Sequence, residues 1–437
     1  MKEGPRIYNL FPLLVGTVQD WKAQLPRIAD MGFNWVFLNP VHYPGFSGSL
    51  YAVKDYYRLN PLFANDGDQD AQLRDFVRAA EAHGLSVMLD LVINHTAKDS
   101  ILADEHPEWF AREPDGSVRS PRAVDPDDPT KVTVWGDLAE IDYSPRPQRQ
   151  ELLAYWQRLV RHYIQLGFHG FRCDAAYKVP GAAWAEIIGS ARAEFPQTHF
   201  FAETLGARLE EVAQLHAAGF DFFFNSAKWW DFHADWLLEQ YERFRHIAPS
   251  VAFPESHDTE RLAAETGGSE IQSRVRYLFA AFFSAGVMMP IGYEFGFRRK
   301  LHVVKARPRD WEAAAFDLTA FIRETNRMKA GIGVLNEEGP QERLTAQGAP
   351  VVALLRSGRA QPGRVLFLLN TDPDRHHDYL VELVETALGS ARAEIQDVTP
   401  QAAPLDLLSS ERLSLAPWEA RVLYAPAGVP GGVRGRD

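Results

Sequence analysis

The stretch GFHGFRCDAAYKVP, residues 167–180, joins a short apolar run to an arginine and an aspartate. Its apolar residues predict a strand that ends at Arg172 and Asp174, and Pro180 then separates this strand from a helical pattern. Residues two apart on a strand point to the same face. The stretch therefore predicts a cation beside a carboxylate at the end of a buried strand, with Cys173 pointing away as a small core residue.

Composition limits the classes of function. The chain has 437 residues, 46% of them hydrophobic and 24% charged, which is typical of globular proteins. A net charge of -12 argues against nucleic acid or an anionic membrane as a main partner. No apolar run reaches the roughly 18 residues of a membrane span, and the N-terminal residues lack the apolar core of a signal peptide. With a single cysteine no intrachain disulfide can form. We expect a cytoplasmic protein. The sequence does not indicate its oligomeric state.

Alternating strand and helix patterns predict the fold. Short apolar runs followed by amphipathic patterns occur eight times, which predicts a (β/α)8 barrel, with a doubly wound open sheet as the alternative. No GxGxxG turn follows an early strand, and this favours the barrel. The predicted strands cover residues 7–15, 35–38, 86–93, 170–174, 199–203, 221–224, 251–254 and 286–291. The predicted helices cover residues 18–30, 68–83, 149–166, 182–194, 209–218, 235–246, 271–285 and 314–329.

Two further regions depart from this alternation. Residues 96–144 show no periodicity, and a structureless loop of that length is uncommon in a compact domain, so we expect an inserted subdomain after the third strand. Residues 333–426 alternate apolar runs with turns and predict a C-terminal antiparallel β domain. The barrel then comprises residues 1–95 and 145–332, and the Gly- and Arg-rich residues 427–437 are expected to form a disordered tail.

Polar side chains follow the predicted strands at the points where the strands end. In a (β/α)8 barrel the site lies at the C-terminal ends of the strands, so these side chains are expected to converge on one rim. Each has apolar residues before it. They are Asp90, Asn94 and His95 after the third strand, Arg172 and Asp174 after the fourth, Glu203 after the fifth, and His257 and Asp258 after the seventh.

These contexts resemble the signature regions of the α-amylase family, the retaining glycosidases and transglycosidases built on (β/α)8 barrels. The resemblance extends from about residue 7 to the C-terminus, with some likeness to intracellular oligosaccharide-active and maltosyltransferase members. The matching segments are DLVINH (residues 90–95), GFRCDAAYK (170–178), FAET (201–204) and SHDT (256–259), with SLYAVKDYY (49–57) and GDLAEIDY (136–143) similar to two minor regions.

The resemblance implies a double displacement on an α-glucosidic bond. Asp174 corresponds to the nucleophile, Glu203 to the acid and base, and Asp258 to a third carboxylate that holds sugar hydroxyls. Retention requires the first two carboxyl groups about 5–5.5 Å apart. We expect Arg172 to keep Asp174 ionised, and the surroundings of Glu203 to raise its pKa so that it can donate a proton.

The remaining candidates are predicted to bind substrate. The resemblance implies that His95 and His257 donate hydrogen bonds to the sugar and that Tyr51 stacks under its ring, although Tyr51 is also interpretable as an ordinary packed aromatic residue. The full substrate-binding set predicted from the sequence is Tyr51, Asp90, His95, Arg172, Lys178 and His257.

At two positions beyond the predicted nucleophile Asp174, this sequence differs from the pattern of the family. Many members hold calcium through an asparagine and a histidine; Asn94 is present, but Lys178 replaces the histidine, so we predict no metal and no other cofactor. Ala175 stands where the phosphate-using maltosyltransferases have an asparagine. The basic residues 298–300 follow the eighth strand and favour either a phosphate site or, more simply, a solvated loop.

The sequence leaves the final acceptor open. Hydrolysis of maltooligosaccharides or related α-glucosides is the first hypothesis, transfer to a sugar, including from a sugar phosphate, is the second, and a catalytically silent glucan-binding relative is the third. An α-glucan or oligosaccharide is the expected partner. Trp229, Trp230 and Trp236 follow the sixth strand and fit either acceptor-binding aromatics or core residues.

Overall fold

A closed barrel forms the centre of the molecule. The computed structural model describes residues 3–124 and 130–426. Within these residues eight parallel strands pair in chain order, and the first strand also pairs with the last, as Arg6 with Val287. The strands are β1 (Arg6–Leu10), β2 (Trp35–Leu38), β3 (Ser86–Leu91), β4 (Gly170–Cys173), β5 (His199–Glu203), β6 (Phe222–Phe224), β7 (Ser250–Ala252) and β8 (Gly286–Pro290). The (β/α)8 barrel is confirmed, and the open sheet is excluded.

Alternation along the strands separates two cores. The barrel interior is filled by large apolar side chains, among them Ile7, Phe37, Phe201 and Met288. Outward-facing residues of the same strands pack against the helices. Cys173 belongs to this outer core and is fully buried. The position of Cys173 agrees with the alternation expected for β4.

Amphipathic helices cover the outside of the barrel. In the helix Gln69–Ala82, for example, the Asp68 side chain accepts hydrogen bonds from two backbone N–H groups at the N-terminus, and one face is buried. No helix in the described ranges is long and apolar enough to cross a membrane. The helices that follow the strands are Val18–Asp30, Gln69–Ala82, Arg149–Gln165, Gly181–Glu194, Leu209–Ala213, Trp236–Phe244, Glu270–Phe283 and Thr319–Gly331.

Several elements differ from the sequence prediction, among them the helix predicted for residues 314–329, which begins at Thr319. The strand predicted for residues 7–15 ends at Leu10, and Pro12–Val15 forms a short helix, since a proline at the first helical position is already set for helical geometry. The helix predicted for residues 209–218 ends at Ala213. The C-terminal region, where helical pattern is scarce, contains the helix Val381–Leu388.

The chain between β3 and the helix Arg149–Gln165 forms a small inserted subdomain. His95–Ala97 pairs with Leu138–Glu140, which ties both ends of the insertion together beside the end of β3. A second antiparallel pair joins Arg122–Val124 to Val132–Val134. The expected disordered tail, residues 427–437, lies outside the described residues.

An antiparallel β domain follows the barrel. In the described chain it has a five-stranded sheet and a further strand pair, His377–Leu380 with Arg412–Leu415. Phe367 of this sheet packs against Phe279 and Phe282 of the last but one barrel helix, with ring centroids 5.8 and 5.2 Å apart. The sheet comprises, in spatial order, Gln341–Arg343, Val351–Ser357, Arg364–Asn370, Ala420–Ala425 and Gln396–Asp397.

Candidate active site

Arg172 is the centre of an acidic cluster at the carboxyl ends of the strands. Its Nη1 donates to both oxygens of Asp90, at 3.0 and 2.8 Å, and to Oδ1 of Asp174 at 2.8 Å. Its Nη2 lies 4.0 Å from Glu203 Oε2 and 3.9 Å from Asp258 Oδ2. One buried guanidinium therefore faces four carboxyl groups, which come from β3, β5 and the chain after β4 and β7.

Glu203 is the member of this cluster that can hold a proton and also faces a cavity. Burial raises the pKa of Glu203 to about 7, against the lowering effect of the Arg172 guanidinium. Its two oxygens accept hydrogen bonds from the backbone N–H groups of Ala175, at 2.8 Å, and Leu205, at 2.5 Å. The carboxyl group is thus held in one orientation and is close to half protonated at neutral pH, as a general acid and base requires.

Asp90 supports Arg172 from below. It is completely buried, and Oδ2 also accepts a hydrogen bond of 2.7 Å from the Tyr51 hydroxyl. Burial raises the pKa of Asp90 to about 8, whereas the donors around its two oxygens favour the carboxylate. Both oxygens are engaged by the protein, so the position of Asp90 does not support the direct sugar contact expected from the sequence.

The Tyr51 hydroxyl connects three side chains. It accepts a hydrogen bond from Asn39 Nδ2 at 3.0 Å and lies 2.5 Å from His257 Nε2. The Tyr51 hydroxyl donates its one proton to Asp90, and His257 Nε2 also lies 3.1 Å from Asp258 Oδ2, so the tautomer with the proton on Nε2 of His257 fits both contacts. The Tyr51 ring is parallel to the His257 ring, with centroids 5.6 Å apart. Tyr51 therefore orders the cluster as well as forming part of its surface.

The two histidines use their N–H groups within the protein. Burial lowers the pKa of His257 to about 4 and also lowers that of His95, so both rings are neutral at pH 7. His95 Nε2 lies 3.1 Å from the backbone carbonyl of Tyr51, and this carbonyl can only accept. In both described rings Nδ1 is buried and has no hydrogen-bond partner. Since Nδ1 of such a ring can only accept, the expectation that these histidines donate to a sugar does not fit their geometry.

Ala175 adopts a left-handed backbone conformation directly after Asp174. Its φ and ψ are 39° and 49°, a region that non-glycine residues rarely occupy. This conformation directs the N–H of Ala175 to Glu203. The strained turn at Ala175 therefore connects the chain next to Asp174 with the carboxyl group of Glu203.

Two cavities meet at Asp258. The first, of about 740 Å³, contains Asp174 and lies between the barrel and the inserted subdomain; it is also lined by Tyr51, His95 and Lys178. The second, of about 420 Å³, contains Glu203. Asp258 lines both, and its side chain is 53% exposed. The carboxyl groups of Asp174 and Glu203 thus line different cavities, and Asp258 lies where the two cavities meet.

Some predicted substrate-binding residues lie behind the cavity walls. Among the described lining residues of these two cavities, Asp90, Arg172 and His257 are absent. Arg172 and His257 have 4% and 2% of their surface exposed. These three residues therefore support the exposed members of the cluster from behind.

The tryptophans after β6 have different environments. Trp230 is fully buried, and Trp236 packs half-buried against the outer core. Trp229 is 51% exposed and lines the second cavity. The core interpretation thus applies to two of the three, and Trp229 remains the candidate for sugar contact.

The basic loop after β8 is paired with acids and carbonyl groups. Arg298 donates to the carbonyl of Gly267 at 3.0 Å, Arg299 lies 3.4 Å from Asp310, and Lys300 lies 3.1 Å from Glu260. These contacts favour the interpretation as a solvated loop.

The residues present do not fit the calcium site of the wider family. Asn94 Oδ1 is buried and lacks a hydrogen-bond partner, so one suitable oxygen exists. Across the described ranges, however, no group of three His, Cys, Asp or Glu side chains could hold a metal ion. Lys178 is exposed and carries a positive charge where a further ligand would be needed. We therefore derive no step through a metal.

Sequence comparison places the chain beside glucan-active proteins. The family model "Glycogen debranching enzyme, glucanotransferase domain" matches residues 4–111. The alpha-1,4-glucan:maltose-1-phosphate maltosyltransferase of Burkholderia pseudomallei is 28% identical over 365 residues, which are 81% of this chain and 31% of that protein. The protein of the same name from Mycolicibacterium smegmatis is 29% identical over 351 residues, 72% of this chain and 48% of that protein. The chain thus spans about a third to a half of the length of these relatives.

Solved structures agree over almost the whole chain. An alpha-amylase from Lactobacillus plantarum superposes with a TM-score of 0.73 at 22% identity, covering 96% of this chain and 98% of that one. An alpha-amylase from Geobacillus thermoleovorans gives 0.75 at 17% identity, covering 97% and 99%. The fold of this chain is thus the fold of these alpha-amylases. At these identities the structural likeness itself shows the common fold, and the sequence relatives add a likeness to maltosyltransferases.

One residue that orders the acidic cluster was missed in the sequence. Asn39 directly follows β2, where the sequence suggested only a strand end, yet its amide donates to Tyr51 and accepts a hydrogen bond of 2.9 Å from Asn9. Both amides are fully buried. Asparagine within or directly after an apolar strand was the available signal, because a buried amide requires partners.

Proposed function

We propose that this chain is a retaining α-glucan-active enzyme that transfers a glycosyl group from a donor to a sugar hydroxyl. The observation that carries the proposal is the pair formed by Asp174, held against Arg172, and Glu203, whose pKa is raised to about 7. A carboxylate fixed by a cation suits a nucleophile, and a neighbouring carboxyl group that keeps its proton suits an acid.

In the first step an Asp174 oxygen attacks the anomeric carbon, and the bond from that carbon to the leaving oxygen breaks. Glu203 gives its proton to the leaving oxygen, so a neutral hydroxyl departs and a glycosyl ester of Asp174 remains. Asp258, at the junction of the cavities, is positioned to accept hydrogen bonds from hydroxyls of the reacting sugar.

In the second step an acceptor hydroxyl attacks the anomeric carbon from the side of Glu203. The Glu203 carboxylate takes the hydroxyl proton while the ester bond breaks, which regenerates the Asp174 carboxylate. Two inversions give net retention. Arg172 stays within hydrogen-bond distance of Asp174 and stabilises the charge that returns to it.

Transfer is preferred over hydrolysis because the relatives named above are maltosyltransferases. Hydrolysis remains the second candidate, since structural neighbours are named alpha-amylases and the same intermediate reacts with water if water arrives first. A phosphate-bearing donor is compatible with Lys178, an exposed cation that lines the cavity of Asp174. The cytoplasmic location inferred from the sequence remains a prediction.

The test is product analysis with a panel of donors. Maltose 1-phosphate, maltohexaose, sucrose and trehalose are each incubated with the protein and a labelled maltooligosaccharide acceptor, and products are separated by mass. Elongated acceptors with retained anomeric configuration support transfer, and shortened oligosaccharides with free reducing ends support hydrolysis.

Phosphate released in step with elongation would identify the donor. Asp174→Ala, compared with the exposed-residue variant Asp115→Ala in the inserted subdomain, should remove all products without unfolding the chain. No product from any donor, or equal activity of Asp174→Ala and the control, would refute the proposed function.

A further inference from the structure

The loop between β6 and the next helix, residues 225–235, brings Trp229 into the cavity of Glu203. We call these residues the β6 loop. The Trp229 ring is half exposed there, and its nearest aromatic neighbour is Phe253, at 6.5 Å between centroids. An exposed indole beside an acid and base carboxyl gains little from core packing, but it offers a flat apolar face for the CH groups of a sugar ring.

The β6 loop is held in place by two arginines from outside it. Arg276, on the helix Glu270–Phe283, donates to the carbonyl of Trp230 at 2.6 Å and lies 4.3 Å from the ring centre of Phe232. Arg343, at the end of the first strand of the C-terminal sheet, donates to the carbonyl of His233 at 2.7 Å. The C-terminal β domain thus reaches the loop that carries Trp229.

Arg343 also contacts the residue next to Trp229. Its guanidinium carbon lies 5.4 Å from the ring centre of Trp230, and its side chain is 8% exposed. Trp230 is fully buried, stacks on Phe279 at 5.3 Å, and donates from Nε1 to the carbonyl of Ala234 at 2.6 Å. Because Trp229 and Trp230 are consecutive, fixing the buried ring fixes the backbone from which the exposed ring projects.

The backbone of the β6 loop needs these contacts. Phe232 has a φ of 69°, which costs free energy in a residue other than glycine. Lys228, on the cavity side, is anchored by Glu265 at 2.8 Å. The loop is therefore a strained segment whose conformation is maintained from both sides, by the barrel and by the C-terminal sheet.

We propose that Trp229 is the surface on which the acceptor sugar stacks, and that Arg343 of the C-terminal sheet is a positioning residue for it. The acceptor is a sugar or oligosaccharide whose hydroxyl approaches Glu203. This inference rests on the proposed function. It assigns the C-terminal β domain a part in the choice between a sugar hydroxyl and water as acceptor.

The experiment uses the whole chain with α-maltosyl fluoride as donor and maltohexaose as acceptor. Fluoride leaves without a proton from Glu203, so the kcat/KM for fluoride release reports formation of the intermediate alone. The ratio of elongated product to free maltose reports the acceptor. The variants are Trp229→Ala, Arg343→Met, the double variant, and the control Arg412→Gln, which removes an exposed arginine from the same domain.

We expect Trp229→Ala to lower the ratio of transfer to hydrolysis about fivefold, the scale of one aromatic stacking contact. The change in kcat/KM for fluoride release should be smaller than the change in the ratio. Arg343→Met should lower the ratio in the same direction, and the control should leave it unchanged. In the double variant the ratio should be no lower than in Trp229→Ala, because Arg343 acts through Trp229.

The outcomes separate this inference from the proposed function. Absence of fluoride release from the unmodified chain would remove the proposed function. Normal fluoride release with an unchanged ratio in Trp229→Ala would overturn only the acceptor surface. Arg343 would have only a structural role if the double variant lowered the ratio of transfer to hydrolysis by the sum of the two single effects. The same conclusion would follow if Arg343→Met lowered fluoride release and transfer equally. Trp229→Ala alters an exposed side chain, so its result stands even if Arg343→Met fails to fold.

Discussion

The raised pKa of Glu203 makes the rate depend on pH in a way that differs between donors. An ordinary glutamic acid has a pKa of about 4.3 and is about 0.2% protonated at pH 7. With a pKa of about 7, Glu203 is about half protonated there. Burial by the barrel end thus supplies on the order of 200-fold more of the acid form, equivalent to about 3 kcal/mol.

The expected profile follows from which step needs that proton. The kcat/KM for an oligosaccharide donor should fall about tenfold per pH unit above pH 7, because departure of the sugar requires the acid form of Glu203. The kcat/KM for α-maltosyl fluoride should lack this decline, because fluoride leaves as an anion. Initial rates with both donors from pH 5 to pH 9 provide the comparison.

A substitution tests the same group through stability. The folded pKa of Glu203 lies above the ordinary value of about 4.3, so between about pH 4.3 and pH 7 the folded state binds more protons than the unfolded state. The free energy of unfolding should therefore decrease as the pH rises through this window, by up to about 3 kcal/mol. Glu203→Gln removes that decrease and should lower oligosaccharide cleavage by ~10²–10⁴-fold.

The matched control is Glu186→Gln, a half-exposed residue on the helix Gly181–Glu194. Chemical denaturation at pH 5 and pH 8 compares the unmodified chain with both variants. If the free energy of unfolding decreases equally in Glu203→Gln and in the unmodified chain between these pH values, Glu203 is not the source of the pH dependence of stability. Identical pH profiles for the two donors would refute the assignment of Glu203 as the acid.

Three further outcomes are expected. Tyr51→Phe should lower the free energy of unfolding by about 1–3 kcal/mol and oligosaccharide turnover several-fold, because Asn39 and Asp90 lose a buried partner; unchanged denaturation and turnover would leave only a stacking role for Tyr51. Ala175→Gly should raise the free energy of unfolding by about 1 kcal/mol, since glycine tolerates a φ of 39°; destabilisation in urea would contradict the strain. A chelator should shift the thermal unfolding midpoint by less than about 2 °C, equivalent to under about 2 kcal/mol for a chain of this length; a larger fall would show a bound metal.

The sequence predicted the barrel because each strand and each helix carries its own local pattern. The apolar run of β5 and the amphipathic pattern of the helix Val18–Asp30 appear in the structure with the predicted bounds. Residues 11–15 are apolar throughout, and a continuous apolar run fits a strand or a buried helix turn equally well. That is why the short helix Pro12–Val15 was predicted as strand.

The acidic cluster was predictable as a group because parallel strand ends share one edge. What each member does was less accessible, since hydrogen-bond partners depend on chain segments far apart. The interactions of Tyr51 with Asn39 and Asp90 bring together residues 12 and 39 positions away. The sequence does not indicate the left-handed conformation of Ala175. Glycine or asparagine would have suggested such a conformation, whereas alanine does not.

The reactivity of the buried Cys173 thiol measures local unfolding of the barrel around β4. The thiol is enclosed between β4 and the outer helices, and burial raises its pKa well above the usual range. A thiol-directed reagent can react only when this part of the barrel separates, since the thiolate is the reactive form. Cys173 is the one cysteine of the sequence, so mass spectrometry of the alkylated chain measures how often the strand that carries Arg172 detaches, without any added label.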